Sequence, residues 1–564
     1  MLVNILIWIY IFASTYLLGR GFMELSGMKV SGESREFGAE DVSIAGLVIA
    51  VSFSQIFSLF AGVSLVADIA LTVLAIISFI YSNKKHRISF SEIIPCKNKI
   101  VPVSVVATVL VMAYGASRGY FHYDSDLYHG QAIHWIEDYG VVKGLGNLHG
   151  RLAYNSSSFA LTALYSFAYL GGRSYHACAG YLALLVLLSC LKIFHVIKDK
   201  KVLPGDFARI AAFYYICNIY DEMTSPASDY FSMLFFLYAI IKILDGIAEK
   251  RNADYYAFPA LVAFCDVTVK FSSAPFCLIV FIPLIMLIRE KNIKKILYYA
   301  VCVLFILMPF FIRNYIISGW LLYPSAFPDL FNPEWKIPEM YLVPDSKYII
   351  AFGRGYSNME AADLHFSEWF PHWYEGLERI WKLMLFFTGS GILVWFCNLY
   401  EGMIRKRYKE SGFIILNFTV FSAIVSFFFW LFSSPLIRYG QAYVIAIPCL
   451  TFGTAFCTLL KIFDVKIPGR FLRTVYMAVM ILFFVYKGLM TARYMIDVKG
   501  YPYYIQPLDY GVYETEEVRL GNVSVYAPVS GDRTGYYDFP SVPVNSGLPL
   551  MYDPDDLSKG FIEK

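Results

Sequence analysis

Residues 123–129 read Tyr123-Asp124-Ser125-Asp126-Leu127-Tyr128-His129, and they lie between an apolar segment at 101–118 and another that begins near Phe159. The chain is 58% hydrophobic and only 16% charged, so this run places two carboxylates and a histidine at the boundary of a membrane-spanning segment. Ionisable groups are costly beside a bilayer, and those that occur there are usually functional. The run therefore predicts a polar loop at one face of a membrane protein.

The composition of the whole chain agrees with this interpretation. A soluble globular protein is about half apolar and about one quarter charged, whereas this chain has a mean hydropathy of +0.54. Its aromatic content of 18% is typical of polytopic membrane proteins with aromatic interfaces. The net charge of +3 gives no reason to expect nucleic acid as a partner. We therefore expect an all-α polytopic membrane protein.

Apolar segments recur throughout residues 1–491, which we interpret as one multi-pass transmembrane domain with a retained first helix. A bilayer-spanning helix needs roughly 20 apolar residues. The segments lie at 2–19, 43–60, 62–81, 101–118, 156–171, 175–196, 206–220, 229–246, 255–271, 275–289, 295–312, 378–400, 412–432, 441–460 and 472–490. Several are short, so about 12 to 15 helices are expected to cross the bilayer.

Clusters of basic residues predict the orientation of these segments, because cytoplasmic loops are enriched in lysine and arginine. The clusters occur at 84–87, 198–201, 250–251, 291–295, 405–407 and 466–473. With the clusters in the cytoplasm, the loops 119–155 and 313–376 lie outside. The N-terminus then also lies outside. Two crossings between Tyr154 and Val196 would place the cluster 198–201 outside as well, so one of the two segments there is expected to be a partial or re-entrant helix or to belong to the outer-face assembly, and 156–171 is the better candidate.

Residues 492–564 differ in composition from the rest of the chain. They are rich in tyrosine, proline and glycine, with short alternating runs such as Val523-Ser524-Val525-Tyr526 and Tyr536-Tyr537-Asp538. Such runs are typical of β-hairpins. We expect a small extracytoplasmic cap that packs on loop 313–376.

Residues 127–139 carry an apolar stripe with helical spacing, which predicts a short amphipathic helix lying along the membrane interface. Asp124 and Asp126 stand at its N-terminal end. Either aspartate could simply cap the helix by accepting hydrogen bonds from free backbone N–H groups. Asp124 precedes the helix and can point into a cavity, so it is the better candidate for a functional carboxylate.

Three cations occur near the outer ends of predicted helices: Lys270, Arg313 and Arg438. Each could reach lipid headgroups with its charged end, which is common for long basic side chains. Lys270 could instead pair with Asp266, one helical turn before it. As a set beside a carboxylate loop, they favour an anionic, lipid-linked substrate. We find no Walker loop, no GxGxxG element and no metal-binding histidine pair.

Three blocks of sequence carry a resemblance to known proteins. They are Tyr123-Asp124-x-x-Leu127-Tyr128-His129 with Trp135-Ile136-Glu137, then Gly144-Leu145-x-Asn147-Leu148-His149-x-Arg151 with Asn155, then Arg313-Asn314 with Ser318-Gly319 and Tyr323-Pro324. With them the chain resembles a group of bacterial membrane proteins linked with surface-polysaccharide loci. Its outer-loop aspartates and multi-helix body also resemble the GT-C superfamily of glycosyltransferases. The related group carries a small residue where Asp126 stands here, which favours Asp124.

The resemblance implies an inverting transfer of a sugar from a polyprenyl-phosphate carrier to a lipid-linked or cell-surface glycan. The enzyme would sit in the bacterial inner membrane with its active site facing the periplasm or outside. Asp124 would be the base, oriented by Asp126 or His129. The residues expected to bind substrate are Lys270, Arg313, Arg438, Asn147, His149, Arg151 and Tyr323. No cofactor is required, although a divalent metal held by Asp124, Asp126 and Asp229 is possible.

Two alternatives remain open from the sequence. A surface-polysaccharide polymerase would use the same chemistry on a larger donor. A transporter or flippase of lipid-linked saccharides belongs to a different class, and transporters often show internal repeats and broken helices near the midplane. We find no clear repeat, and the polar residues cluster on one face. The oligomeric state does not follow from the sequence.

Overall fold

The structure is a computed structural model that describes residues 1–30, 35–88, 90–93, 100–119, 121–194, 201–464, 503–543 and 549–563, with isolated residues between 470 and 486. Its α-helices are Leu2–Leu25, Ala39–Phe57, Leu65–Lys85, Phe90–Ile93, Ile100–Ser117, Gly130–Asp138, Leu145–Leu148, Ser157–Leu164, Cys178–Cys190, Pro204–Ile219, Ser228–Glu249, Ala253–Val269, Phe281–Arg289, Ile293–Ser318, Glu339–Gly353, Phe366–Gly376, Arg379–Ile404, Ser411–Ser433 and Ile437–Ile462. Ser125–His129 is one turn of π-helix. The 3-10 helices are Gly150–Ala153, Ala168–Leu170, Leu191–Phe194, Phe271–Val280, Met359–Asp363, Arg407–Lys409 and Leu557–Lys559.

The chain is an all-α polytopic protein. Within the described ranges, nine helical stretches are long and apolar enough to cross a membrane, which indicates an integral membrane protein. This number is below the predicted 12 to 15. The predicted segments 206–220 and 255–271 form the shorter helices Pro204–Ile219 and Ala253–Val269. The segment 472–490 lies largely outside the described residues.

The first two long helices pack closely because small residues face each other. A Cβ atom added to Gly46 would lie 1.7 Å from the carbonyl oxygen of Thr15 on the first helix. Because the two helices lie so close, the hydroxyls of Thr15 and Ser43 hydrogen-bond across the interface at 2.7 Å. Ser43 also hydrogen-bonds the Tyr181 hydroxyl. Helices in membranes associate through such close backbone contact and interhelical hydrogen bonds.

The segment predicted to be partial does not cross the bundle. Its helix, Ser157–Leu164, has 8 residues, far too few to span a bilayer. The chain then turns back, and the Tyr175 N–H donates to the Ser166 carbonyl at 2.9 Å. The Met1 amino group donates to the Tyr503 carbonyl, so the N-terminus lies beside the start of the described tail. We call the helix ends joined by residues 121–155 and 319–376 the loop face.

At the opposite face, buried ion pairs join the helices. Asp41 is fully buried and accepts hydrogen bonds from Lys242 (2.9 Å) and from the Tyr238 hydroxyl (2.7 Å). Arg209 forms two hydrogen bonds with Asp245, at 2.6 and 2.8 Å. Paired charges of this kind are tolerated in a low-dielectric interior because each has a partner.

The predicted amphipathic helix is present as Gly130–Asp138, but it is enclosed rather than lying on a membrane surface. Gln131 on its polar side is 1% exposed and donates to three backbone carbonyls of the tail, between residues 535 and 538. The His134 ring stacks on Tyr536 with centroids 4.4 Å apart. Its polar residues therefore bind protein rather than lipid headgroups.

The described tail contains two small antiparallel sheets, one pairing Thr515–Leu520 with Val523–Pro528 and one pairing Pro549–Met551 with Phe561–Glu563. It packs on residues 126–143, which was not expected, and it also contacts the expected loop 313–376. Its contact with that loop includes the Tyr552 hydroxyl bonded to Glu334 at 3.3 Å.

Candidate functional site

The turns between helices at the loop face surround a cavity of about 740 Å³. Pockets of several hundred Å³ with a few converging polar groups are typical binding sites. The polar wall is formed by Asp124, Asp229, Lys270 and Arg438, and His129 and Tyr323 also line it. The cavity thus collects five of the ten residues predicted from the sequence.

Four charged side chains form a row of alternating negative and positive charge along this wall. Arg438 donates from Nη2 to Asp124 Oδ2 at 2.7 Å, and its Nε lies 3.4 Å from Asp229 Oδ2. The Lys270 ammonium donates to Asp229 Oδ1 and lies 3.4 Å from the centre of the Tyr439 ring. Two carboxylates therefore balance two cations in a largely buried place.

The predicted pairing of Lys270 with Asp266 is wrong. It requires helical geometry through residue 270, but the helix ends at Val269 and Lys270 is extended, with φ −147° and ψ 111°. The side chain consequently pairs with Asp229, on the preceding helix Ser228–Glu249.

The electrostatic environment keeps Asp124 ionised at neutral pH. Burial alone would raise its pKa, but the adjacent Arg438 guanidinium outweighs this and the pKa of Asp124 lies below its usual range. Its Oδ2 is held by Arg438, and no described residue donates a hydrogen bond to Oδ1. One carboxylate oxygen is thus fixed and the other is available to a ligand.

Two histidines flank Asp124 in neutral form. Burial, reinforced by Arg438, lowers the pKa of His122, and this ring accepts a hydrogen bond from Arg438. Burial lowers the pKa of His129 to about 3. The side chains that contact Asp124 are Arg438 and His122, so the predicted orienting role of Asp126 or His129 is not supported by the geometry.

Asp126 does not line the cavity. It is 6% exposed and accepts hydrogen bonds from the Gly511 N–H and the Tyr513 hydroxyl, both at 2.9 Å. Its own carbonyl accepts from Thr534 and Gly535. The structure therefore assigns this carboxylate to attachment of the tail. The predicted catalytic role of Asp126 is corrected to a structural one.

Arg313 is also outside the cavity. Its guanidinium is 1% exposed and donates to Asn155 Oδ1 at 2.9 Å and to the Ser58 hydroxyl. These bonds tie the helix Ile293–Ser318 to the end of the second long helix. The predicted contact with substrate phosphate is corrected to a structural one.

The remaining predicted residues form a second pocket of about 260 Å³ beside the cavity, with Tyr323 in the wall of both. His149 and Arg151 line this pocket, and burial lowers the pKa of His149 to about 3. Asp345 closes it, accepting from the hydroxyls of Tyr154 (2.7 Å) and Tyr323 (3.1 Å).

Asn147 and Arg151 differ in how far they are committed within the protein. The Asn147 amide donates to the Trp335 carbonyl at 2.9 Å, which fixes its position. The Arg151 guanidinium lies over the Tyr128 ring at 5.9 Å and has no hydrogen bond to a described residue. Arg151 is therefore the group in this pocket most available to a ligand.

The three aspartates considered for a divalent metal do not come together. Asp126 bonds the tail, and the Arg438 guanidinium stands between Asp124 and Asp229. In the described part of the chain, no group of three histidine, cysteine, aspartate or glutamate side chains is arranged to hold a metal ion.

Residues 1–445 match the model of a family described as a domain of unknown function, DUF8201. The chain belongs to that family. No curated protein and no solved structure shows a significant match to the chain. The DUF8201 region contains the four charged residues of the cavity, whereas the tail residues that bind Asp126 lie beyond it.

Sequence reasoning underestimated two residues of this DUF8201 site. His122 is not among the residues predicted from the sequence, although it stands two positions before Asp124 and its ring contacts Arg438. From the sequence, Asp229 is considered only as a possible metal ligand, yet it bridges both cations. A signal was present for Asp229, because it begins a long apolar helix at the same face as Lys270 and Arg438.

Proposed function

We propose that this protein is a membrane glycosyltransferase. It transfers a sugar from a polyprenyl-phosphate carrier to a lipid-linked or cell-surface glycan, with inversion, and the loop face is turned to the outside. The single observation that carries the proposal is one large cavity in which an ionised carboxylate, Asp124, lies beside two cations, Arg438 and Lys270. A base and phosphate-binding cations are what this reaction needs.

Asp124 acts as the base in this account. The acceptor hydroxyl gives its proton to Asp124 Oδ1 as its oxygen attacks the anomeric carbon from the face opposite the phosphate. Arg438 holds Oδ2 and lowers the pKa of Asp124. This keeps the base ionised at neutral pH but makes it weaker, so the position of the acceptor has to contribute strongly.

The cations stabilise the departing group. As the bond from the anomeric carbon to the phosphate oxygen breaks, its electron pair leaves with the polyprenyl phosphate. Lys270 and Arg438 can offer donors to the phosphate oxygens, where the negative charge grows. Asp229, which holds both cations in the resting site, keeps them positioned and charged.

The apolar wall of the cavity suits the lipid part of the donor. Phe271 and Phe429 both line the cavity and are each 42% exposed on the outside of the helix bundle. The cavity therefore borders the surface that faces lipid. A polyprenyl chain can lie along this border while its phosphate reaches Lys270.

The second pocket suits the acceptor. It is smaller and more polar, and Tyr323 lines both it and the cavity. Arg151 can donate to sugar hydroxyls, and Glu563 and Asp345 supply carboxyl groups in the same wall. A polymerase would use the same groups with a longer donor, so the two activities differ in the product rather than in the site.

The experiment compares surface glycans of cells that carry wild-type protein, a gene deletion or Asp124→Asn at equal membrane expression. We expect Asp124→Asn to reproduce the deletion and to accumulate lipid-linked intermediate. Asp126→Asn is the matched control, because Asp126 lies two residues away and bonds the tail. A normal glycan profile with Asp124→Asn would reject the assignment of the base.

A further inference from the structure

A buried carboxylate without a partner lies close to the cavity. Asp266 is 1% exposed, and neither of its oxygens makes a hydrogen bond with a described residue. An ionised carboxylate removed from water is strongly disfavoured unless something compensates its charge. It stands in the last turn of the helix Ala253–Val269, where the helix dipole adds further negative potential.

Lys270 does not provide that compensation. It follows Asp266 by four residues, but its ammonium donates to Asp229 and rests against the Tyr439 ring. Asp229 is therefore the counter-charge of Lys270, and Asp266 has no hydrogen-bonded cation among the described residues.

Two serine hydroxyls lie beside the carboxylate. The hydroxyls of Ser232 and Ser273 lie within interaction range of the Asp266 carboxyl, and the two residues are 0% and 2% exposed. Neither hydroxyl makes a hydrogen bond with a described residue. Four buried oxygens thus lie in one small region without a hydrogen bond that satisfies them, and together they offer oxygen ligands to a cation.

We propose that a sodium ion binds between Asp266, Ser232 and Ser273. Carboxylate and hydroxyl oxygens are the ligands that hard cations prefer. A single carboxylate balances a single positive charge, which favours a monovalent over a divalent ion. Sodium is also coordinated at the C-terminal ends of interrupted helices in membrane proteins, and this helix is interrupted at Lys270.

Bound sodium would stabilise the interruption that carries Lys270 into the cavity. The site does not depend on the proposed glycosyl transfer, because it needs only the helix end and the two serines. Its test can therefore fail or succeed independently of that function.

The experiment measures the apparent Tm of the purified full-length protein in detergent as sodium chloride replaces choline chloride at constant ionic strength. We expect a saturable rise of about 2 °C at about 100 times the dissociation constant. Potassium chloride should give a smaller rise. Saturable binding of radioactive sodium to the same protein provides a second readout.

Asp266→Asn should abolish both responses, and Ser273→Ala should weaken the affinity for sodium without removing a charge. Asp68→Asn is the matched control, because Asp68 is a buried helix carboxylate whose oxygens accept from Tyr169 and Tyr10. It should leave the sodium response unchanged. Equal Tm values in sodium and choline, with no sodium binding, would overturn the proposal and leave a proton or water at Asp266.

Discussion

Replacing Arg438 by glutamine tests the charge arrangement of the cavity. The guanidinium donates to Asp124 at 2.7 Å, lies 3.4 Å from Asp229, and bonds His122. Its removal leaves two buried carboxylates with only Lys270 to balance them. Both carboxylates should therefore be destabilised in the variant.

The expected magnitude follows from burial. Removing one partner of a buried ion pair costs roughly 3–5 kcal/mol. The side chains of Arg438, Asp124 and Asp229 are 28%, 19% and 11% exposed, so solvent screening places the value near the lower limit, about 3 kcal/mol. An unfolding entropy of about 2 cal/mol/K per residue, over 564 residues, converts this into a fall in apparent Tm of about 2–3 °C.

The pH dependence of the Tm separates this effect from a general loss of packing. In the wild type the pKa of Asp124 is lowered, so its contribution to stability is present above the unfolded-state pKa and is lost as the pH falls through the folded-state pKa. In Arg438→Gln the largest interaction that opposes burial is lost, so the pKa of Asp124 rises. The deficit of the variant should then be largest at neutral pH and shrink as the pH falls.

The assay is thermal unfolding of both proteins in detergent between about pH 4 and pH 8. Lys347→Gln is the control, because Lys347 lines the same cavity but is 41% exposed and pairs with an exposed Asp363. Its loss should cost less than about 1 kcal/mol. An Arg438→Gln deficit that is the same at every pH, or no larger than that of Lys347→Gln, would refute the reasoning.

Three further predictions follow from particular contacts. Asp126→Ala removes the acceptor of two hydrogen bonds from the tail, about 2 kcal/mol in all, so limited proteolysis should cleave the tail faster while glycan transfer is retained. Gly46→Leu should lower the unfolding free energy by more than about 2 kcal/mol, because a Cβ there meets the Thr15 carbonyl at 1.7 Å; Gly389→Leu, with open space around it, should be near neutral in the same Tm measurement. Burial lowers the pKa of His129 from 6.5 to about 3. Between these pH values only the unfolded state binds the proton, so the wild type becomes less stable as the pH falls. His129→Gln should make the Tm less sensitive to pH in that range, and an unchanged pH dependence would contradict the burial of a neutral ring.

The helices were predictable because a long apolar run is a local property of the sequence. The partial helix Ser157–Leu164 was predictable for a different reason, since two crossings there would have placed a basic cluster on the wrong side. The tail over Gln131 and His134 was not predictable. An amphipathic helix has the same pattern whether its polar side meets headgroups or protein.

The site was predictable as a set of residue types but not as a set of contacts. Asp124 and Arg438 are 314 positions apart, and no local pattern joins them. The sequence favours Asp124 over Asp126 but does not show what each side chain contacts, and two residues on a helical turn point about 200° apart. One therefore lines the cavity and the other bonds Gly511. The partner of Lys270 was missed because the helix ends one residue before it.

Sugar transfer by purified protein in lipid vesicles tests the central claim most directly. Polyprenyl-phosphate sugars are supplied as labelled donors with extracted surface glycan as acceptor. The transfer rates of wild type, Asp124→Asn and Asp126→Asn are compared at a temperature well below the Tm of all three proteins. The account predicts transfer by wild type and Asp126→Asn, and a loss of at least about 100-fold for Asp124→Asn, as expected when a general base is removed. Transfer by Asp124→Asn at the wild-type rate would contradict the account.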